Sequence, residues 1–195
     1  MNFIVLSSSR GTTFHAVIDK MQNGELTAKC LGLITDRGDR GAVEKARKAD
    51  IPVTVVERIK GESREEYDYR LNSAIEKLGQ IDVLAAIGWM FILSPWFVNK
   101  WAGRIINVHP ALLPKYPGAH GIEEALASGD KVTGMTIHII DEGVDTGTIL
   151  VQKTCSILPS DTVDSLKTRV QALEKEWYPK VLEMIENGKI KMSVN

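Results

Sequence analysis

The sequence has little cysteine, almost no net charge and no long apolar segment, and each shortage excludes a class of protein. Its two cysteines, Cys30 and Cys155, lie far apart and form no closely spaced metal-binding pair. No apolar run approaches the roughly 18 residues that a transmembrane helix needs, so we expect no membrane partner. The first ten residues lack the basic segment of a signal peptide and favour a β-strand. Together these features predict a cytoplasmic protein with buried thiols.

Neither sign of charge is in excess, since 24 Lys and Arg residues face 25 Asp and Glu residues, for a formal net charge of -1. This balance argues against nucleic acid or another polyanion as a partner. A hydrophobic content of 44% and a charged content of 25% are typical of globular proteins, and 195 residues can form one self-supporting core. We expect a single domain over residues 1–195, with monomer and homodimer both open.

The first half of the chain alternates short apolar runs with segments of helical spacing, which predicts a parallel sheet flanked by helices. The predicted strands cover residues 3–6, 31–34, 51–56, 82–87 and 104–108. Helices are expected after the loop at residues 7–13, over 41–50, and from Ser63, which begins a capping box with Glu66. The run at 82–87 is apolar throughout, which indicates a sheet covered on both faces.

The second half follows a different pattern. Residues 133–140 and 148–156 predict two antiparallel strands joined by a short turn. A long helix is expected over 161–187, with Pro179 kinking it or ending its first part. Its expected buried stripe consists of Val163, Leu166, Val170, Leu173, Trp177 and Val181. The predicted fold class is α/β, a single domain with a Rossmann-like, mostly parallel sheet, antiparallel strands in the C-terminal half and a long C-terminal helix.

The loop between the first strand and the first helix has the composition of a phosphate site. Backbone N–H groups at a helix start bind anions, and Gly11 allows close approach. Arg10, Thr12 and Thr13 can add further donors. The alternative is an ordinary turn between strand and helix. On the phosphate hypothesis, residues 1–100 form the nucleotide-binding half of the domain.

Asn107 and His109 straddle the end of the fifth predicted strand. Side chains two apart on a strand point the same way, and ligands of open α/β sheets bind at this edge. An amide donor beside an imidazole suits acyl transfer, in which one group stabilises an oxyanion and the other moves a proton. Three prolines within the next eight residues stiffen the following loop. The alternative is a capped strand end with a surface histidine.

Two further loops and three histidines complete the candidates. Asp145 lies between glycines in the loop at 141–148, where a carboxylate near His109 would raise the histidine pKa, unless it is only a solvated hairpin tip. The apolar segment at 88–95 is either a pocket wall for a flat heterocycle or a hydrophobic plug. His15 and His138 are interpreted as structural, and His120 as a second site candidate.

Several of these segments together resemble the phosphoribosylglycinamide formyltransferase family. The resemblance covers nearly the whole chain and rests on segments in the family's order. These segments are Asn107–Gly118, His138–Gly147, Gly88–Pro95, Arg169–Gln171, Glu174 and Tyr178-Pro179.

The resemblance implies an enzyme that transfers a formyl group from 10-formyltetrahydrofolate to the amine of glycinamide ribonucleotide, without a metal. Asn107, His109 and Asp145 match the catalytic trio, with Asp145 keeping His109 charged. Residues 101–195 then form the catalytic and folate-binding half. The matched substrate residues are Arg10, Gly11, Thr12 and Thr13 for the phosphate and Gln171 and Glu174 for the ribonucleotide. The matched folate residues are Arg64, Met90, Phe91, Ile92, Leu93, Asp141, Glu142, Gly143 and Val144.

Departures from the family pattern leave two alternatives. Ser9 stands where Gly is usual, Thr12-Thr13 where Ser-Asn is usual, Phe91 where Arg is frequent and Ile122 where His is frequent. Since most of these changes fall on the acceptor side, a folate-dependent formyltransferase for an amino-sugar nucleotide is one alternative. A non-enzymatic folate- or nucleotide-binding protein is the other, and the intact trio argues against it.

Overall fold

The computed structural model describes residues 1–192 and contains a seven-stranded sheet in the order β3-β2-β1-β4-β5-β6-β7. β1 to β5 pair in parallel, whereas β6 pairs antiparallel with both β5 and β7. The strands are β1 Asn2–Leu6, β2 Lys29–Thr35, β3 Val53–Val55, β4 Val83–Ala86, β5 Ile105–His109, β6 Val132–Ile139 and β7 Ile149–Ser156. The predicted fold class is confirmed.

Helices cover both faces of this sheet. They are α1 Thr12–Gln22, α2 Gly41–Lys48, α3 Arg64–Glu76, α4 Pro95–Lys100, α5 Gly121–Ala127 and α6 Val163–Glu186. The capping box at Ser63 is present and begins α3 as predicted. The sequence did not reveal α4 and α5, because six or seven residues are too few to show a helical period. Ser94 nevertheless caps α4 by accepting a hydrogen bond from the N–H of Phe97 at 3.3 Å.

Two hydrophobic clusters pack on opposite faces of the sheet. Alternate residues of β1 feed them, with Phe3 and Val5 in one cluster and Ile4 and Leu6 in the other. α1 and α6 cover the first face, and α3 and α4 cover the second. This arrangement explains why the whole of β4 is apolar and buried. No helix of residues 1–192 is long and apolar enough to cross a membrane.

The last helix departs from the prediction in two ways. α6 continues through Pro179 to Glu186, so the alternative that proline ends its first part is wrong. The buried stripe includes Tyr178 and Glu174, whereas Val163, Leu173 and Trp177 are only partly buried. The ammonium nitrogen of Lys153 instead lies over the ring of Trp177, 3.6 Å from the ring centroid. A cation on its face makes a partly solvated position favourable for this indole.

Candidate active site

The end of β5 places two polar side chains toward one cavity. Asn107 and His109 are two residues apart on β5 and both line this cavity. His109 is 3% exposed. Asn107 lies opposite His138 in the antiparallel β5–β6 pair, so β6 brings a third polar side chain to the same place. The predicted common orientation of Asn107 and His109 is therefore present.

Asp145 reaches this cluster from the loop after β6. Its Oδ2 lies 3.2 Å from Nδ1 of His109, and its Oδ1 lies 3.4 Å from Nε2 of His138. Oδ2 also accepts a hydrogen bond from the N–H of Gly118 at 2.8 Å, and the side chain is 14% exposed. Asp145 is thus a half-buried partner of two imidazoles, and its interpretation as a solvated hairpin tip is wrong.

The surroundings of His109 act on its pKa in opposite directions. Burial lowers the pKa below the ordinary histidine value, while Asp145 and the Tyr116 carbonyl raise it without offsetting the burial. Asp145 therefore raises this pKa as expected, but burial outweighs it and the net shift is downward. Nε2 lies 2.7 Å from the Tyr116 carbonyl oxygen, so both ring nitrogens face an oxygen. Only the imidazolium donates to both, which makes this ring sensitive to any change in its solvation.

Asp145 remains ionised beside these rings. Burial by itself would raise the pKa of this carboxyl group, but hydrogen bonds from His138 and from the Gly118 N–H, together with the nearby imidazoles, lower it below its usual value. Its backbone φ is 55°, a left-handed conformation uncommon for a residue other than glycine. The loop therefore holds a fixed negative charge against the two histidines.

His138 belongs to this cluster, which corrects its interpretation as a structural histidine. It is 2% exposed, and its Nε2 lies 3.2 Å from Nδ2 of Asn107. An amide NH2 carries two donors and Nε2 of His138 can engage at most one of them, so at least one N–H of Asn107 stays available for a ligand. A histidine in the strand predicted to follow β5 was the available signal, but only the register places it opposite Asn107.

A cavity of about 540 Å³ opens beside the cluster. It is lined by most of the residues that sequence and resemblance single out, including Arg10, Thr12, Thr13, Asn107, His109, Gln171, Glu174, residues 90–93 and residues 141–145. Of the residues that the resemblance matched to catalysis, folate or the ribonucleotide, Gly11 and Arg64 do not line it, and Arg64 is exposed at the start of α3. His120 is exposed at the N-cap of α5 and also lies outside the lining.

The phosphate-loop end of the cavity is built by the start of α1. Gly11 is the N-cap with φ 72°, and a Cβ there would lie 2.8 Å from Cα of Ala42, so only glycine fits. Thr12 and Thr13 form the first turn, but the hydroxyl of Thr13 donates to Oε2 of Glu174 at 3.1 Å. Thr13 thus has a partner within the protein. Lys167 of α6 also lines the cavity and adds a cation that the sequence did not reveal.

Comparison with known proteins shows the family to which the chain belongs. A model of the formyl transferase family matches residues 1–182. The chain belongs to that family. A phosphoribosylglycinamide formyltransferase of Escherichia coli (strain K12) is 35% identical over 195 residues, which cover 100% of this chain and 92% of that protein. The solved glycinamide ribonucleotide transformylase 1 of Symbiobacterium toebii matches with a TM-score of 0.94 at 30% identity, covering 99% of this chain and 91% of that one.

This formyl transferase also resembles one part of larger proteins. It is 39% identical over 186 residues to the trifunctional purine biosynthetic protein adenosine-3 of Drosophila melanogaster. The match covers 94% of this chain but 14% of that protein. The similarity to the trifunctional protein therefore concerns one segment of it.

One wall of the formyl transferase cavity is apolar. Residues 87–93 line it, and Met90 and Ile92 are 65% and 55% exposed. Behind them the ring of Trp89 stacks on Tyr67, with centroids 6.4 Å apart. The segment is therefore part of an open cavity wall and not a buried plug. Such a wall suits a flat, largely apolar ring system.

Glu174 is the most perturbed acid in the cavity. Burial raises its pKa to about 7, while the hydrogen bond from Thr13 lowers it. An acid that is 9% exposed and lacks a cationic partner among residues 1–192 weakens the fold whenever it is ionised. A strongly perturbed acid that lines a cleft is typical of ligand-binding sites. Of residues 1–192, no group of three or more His, Cys, Asp or Glu side chains is placed to hold a metal ion.

Proposed function

We propose that this formyl transferase transfers the formyl group of 10-formyltetrahydrofolate to the amine of glycinamide ribonucleotide, in purine biosynthesis and in the cytoplasm. The observation that carries the proposal is the cluster of Asn107, His109, Asp145 and His138 at the edge of a cavity with a cationic end and an apolar wall. The folate is a cosubstrate, and the chemistry needs no metal. Both substrates are small molecules.

The cluster supports each step of an acyl transfer. The acceptor amine attacks the formyl carbon, and the carbonyl oxygen becomes an oxyanion. The free N–H of Asn107 donates to that oxygen. His109 exchanges its hydrogen bond to Tyr116 for one to the oxyanion, and its imidazolium form is the stronger donor. Asp145 stabilises this form through Nδ1.

The proton must then pass from the amine to N10 of the folate, whose bond to the formyl carbon breaks. The imidazolium of His109 donates its proton to N10 as that bond breaks, and the resulting neutral imidazole takes the amine proton, with Asp145 hydrogen-bonded to Nδ1 throughout. The lowered pKa of His109 makes its imidazolium a stronger acid, which favours this donation to N10. The products are formylated ribonucleotide and tetrahydrofolate.

The two ends of the cavity divide the substrates between them. Arg10, Thr12 and the start of α1 bind the phosphate together with Gly11, and Lys167 adds a second positive charge. Gln171 and Glu174 contact the ribonucleotide. Met90, Phe91, Ile92 and Leu93 form the folate wall, opposite the loop of residues 141–144. On this proposal, residues 1–100 chiefly bind the phosphate, and residues 101–195 supply the catalytic groups.

A competition assay tests the proposal. The purified chain is given 10-formyltetrahydrofolate with glycinamide ribonucleotide and an amino-sugar nucleotide as competing acceptors. We expect formylation of the ribonucleotide in strong preference. The engagement of the Thr13 hydroxyl by Glu174 keeps the sugar acceptor as the second candidate, and its preferential formylation would replace the first. Binding of both ligands without turnover would indicate a binding protein.

Replacing Arg10 by alanine should raise the KM for the ribonucleotide roughly ten- to a hundredfold, because a charge-assisted hydrogen bond to phosphate contributes about 1.5–3 kcal/mol. The KM for the folate should stay within twofold. Steady-state kinetics with each substrate varied in turn gives both values. Arg47→Ala, an exposed arginine of α2 outside this cavity, is the matched control. Equal changes for both substrates would leave the loop as an ordinary turn.

Replacing Glu174 by glutamine should stabilise the protein at high pH only. The folded-state pKa of about 7 exceeds the ordinary value of 4.5, so the stability associated with protonated Glu174 is lost as pH rises through 7. Glutamine does not ionise. At pH 8 we expect a gain of about 3 kcal/mol, because the pKa differs by about 2.5 units at 1.36 kcal/mol per unit, and near pH 4 almost none.

Urea unfolding at both pH values measures this difference. Glu176→Gln, an exposed residue of the same helix, is the control and should show no comparable pH dependence. A Glu174→Gln gain of equal size at both pH values would contradict an ionisation effect.

A further inference from the structure

Arg58 is a cation that the mechanism does not use. It lies in the segment between β3 and α3, and its side chain is exposed. Its guanidinium carbon lies 4.6 Å from the ring centroid of Tyr67 and 5.1 Å from that of Phe91. Within residues 1–192 it makes no ion pair and donates no hydrogen bond. The guanidinium is therefore held by two aromatic rings, with its N–H groups open to a ligand.

A neighbouring arginine shows the contrast. Arg70 also lies over Tyr67, at 5.5 Å, but its guanidinium donates to both carboxylate oxygens of Glu62 at 2.8 Å. Glu62 belongs to the same segment as Arg58 and pairs with Arg70. Of these two arginines, only Arg58 keeps its planar fork available for a carboxylate.

The aromatic rings connect Arg58 to the cavity. Phe91 and Trp89 both line the cavity, and their centroids lie 5.3 Å apart. Tyr67 packs against both, and its hydroxyl donates to the carbonyl of Val56 at 2.9 Å, which fixes the ring beside Arg58. Arg58 thus lies at the edge of the apolar wall. The lysine and arginine residues that line the cavity itself, Arg10 and Lys167, belong to the phosphate-loop side.

The formyl donor has a charge that matches this position. A reduced folate consists of a pterin ring, an aminobenzoyl group and a glutamyl tail with two carboxylates. The apolar wall can cover the rings, but the tail needs a cation where it leaves the cavity. We propose that Arg58 binds a carboxylate of this glutamyl tail and thereby favours the glutamylated donor. This inference rests on the proposed function.

The test compares formyl donors with and without the glutamyl tail. KM and kcat are measured with 10-formyltetrahydrofolate and with the N-methylamide of 10-formyltetrahydropteroic acid, in which an uncharged amide replaces the glutamate. Arg58→Met keeps an apolar chain of similar length over the rings but removes the charge. We expect the KM for the glutamylated donor to rise roughly fivefold, as for a partly solvated ion pair, with kcat nearly unchanged. The KM for the methylamide should change by less than about 1.5-fold, since this donor has no tail carboxylate for Arg58 to bind.

Two further variants and salt complete the design. Arg58→Lys should recover part of the affinity. Arg104→Met is the control, because Arg104 stacks on Trp101 at 4.5 Å and does not line the cavity. The fivefold difference in KM between the parent and Arg58→Met should shrink between 20 mM and 500 mM salt, because salt screens the attraction between the guanidinium and the carboxylate.

The outcomes separate the two proposals. An equal rise for both donors, or no rise for the glutamylated one, overturns the role of Arg58 while formyl transfer stands. Failure of the parent protein to use either donor overturns the proposed function and this inference with it.

Discussion

Replacing His109 by alanine should lower turnover by at least about a hundredfold, which corresponds to roughly 3–4 kcal/mol of transition-state stabilisation. His109 is held between Asp145 and the Tyr116 carbonyl at the end of β5, so its removal takes away the donor and the proton carrier together. Single-turnover rates with saturating substrates measure the effect on the chemical step. Folate affinity should change little, because the apolar wall is a separate part of the cavity.

His120→Ala is the matched control. His120 is exposed, lies outside the cavity lining and makes no side-chain cap on α5. Its removal should leave both turnover and KM unchanged. A His109→Ala variant with near-parental turnover would contradict the proposed mechanism. Equal losses in the two variants would show that the region from the end of β5 to the start of α5 is generally sensitive to substitution, and would not support a specific role of His109.

Replacing Asp145 by asparagine should reduce turnover at neutral pH by about tenfold or more. The carboxylate raises the pKa of His109 against the effect of burial, so its loss lowers that pKa further. Less imidazolium is then present at pH 7, and the oxyanion loses its charged donor. Asparagine keeps an oxygen for the Gly118 N–H, so the loop should stay in place.

The direction of the pH effect distinguishes a charge effect of Asp145 on His109 from a purely structural role of Asp145. Lowering the pH toward the new pKa of His109 should restore part of the rate, until protonation of the amine substrate removes the nucleophile. An NMR titration of His109 in both proteins, beside the pH–rate profiles, measures both changes. Asp164→Asn, an exposed residue at the start of α6, controls for the change in net charge. An unchanged histidine pKa together with unchanged turnover would reduce Asp145 to a structural residue.

Local sequence features determine much of the fold. The apolar run of β4 and the capping box at Ser63 act within a few residues, so their signal is complete in the sequence. α4 escapes prediction because it is six residues long. Tyr178 is buried and Trp177 is not, and this depends on which face of α6 packs against the sheet. Neighbouring residues of a helix point in different directions, so a small rotation of α6 about its axis changes which of the two is buried.

Some features of the candidate site are likewise visible in the sequence, whereas others depend on the tertiary structure. Asn107 and His109 share a face because strands repeat every two residues, a property that needs no tertiary contact. The approach of Asp145 to His109 requires β6 and the following loop to be in place. The role of His138 requires the register that pairs it with Asn107. Arg58 becomes visible only when Tyr67 and Phe91, distant in sequence, meet beside it.

The sequence by itself determined the order of the strands and of the longer helices α1, α2, α3 and α6, the glycine-containing loop before α1, and the pair of polar residues at the end of β5, because each depends on local spacing. Tertiary structure alone decided the electrostatics. Burial lowers the pKa of His109 and raises that of Glu174 to about 7. Desolvation depends on every atom around a group, and those atoms come from segments far apart in the chain.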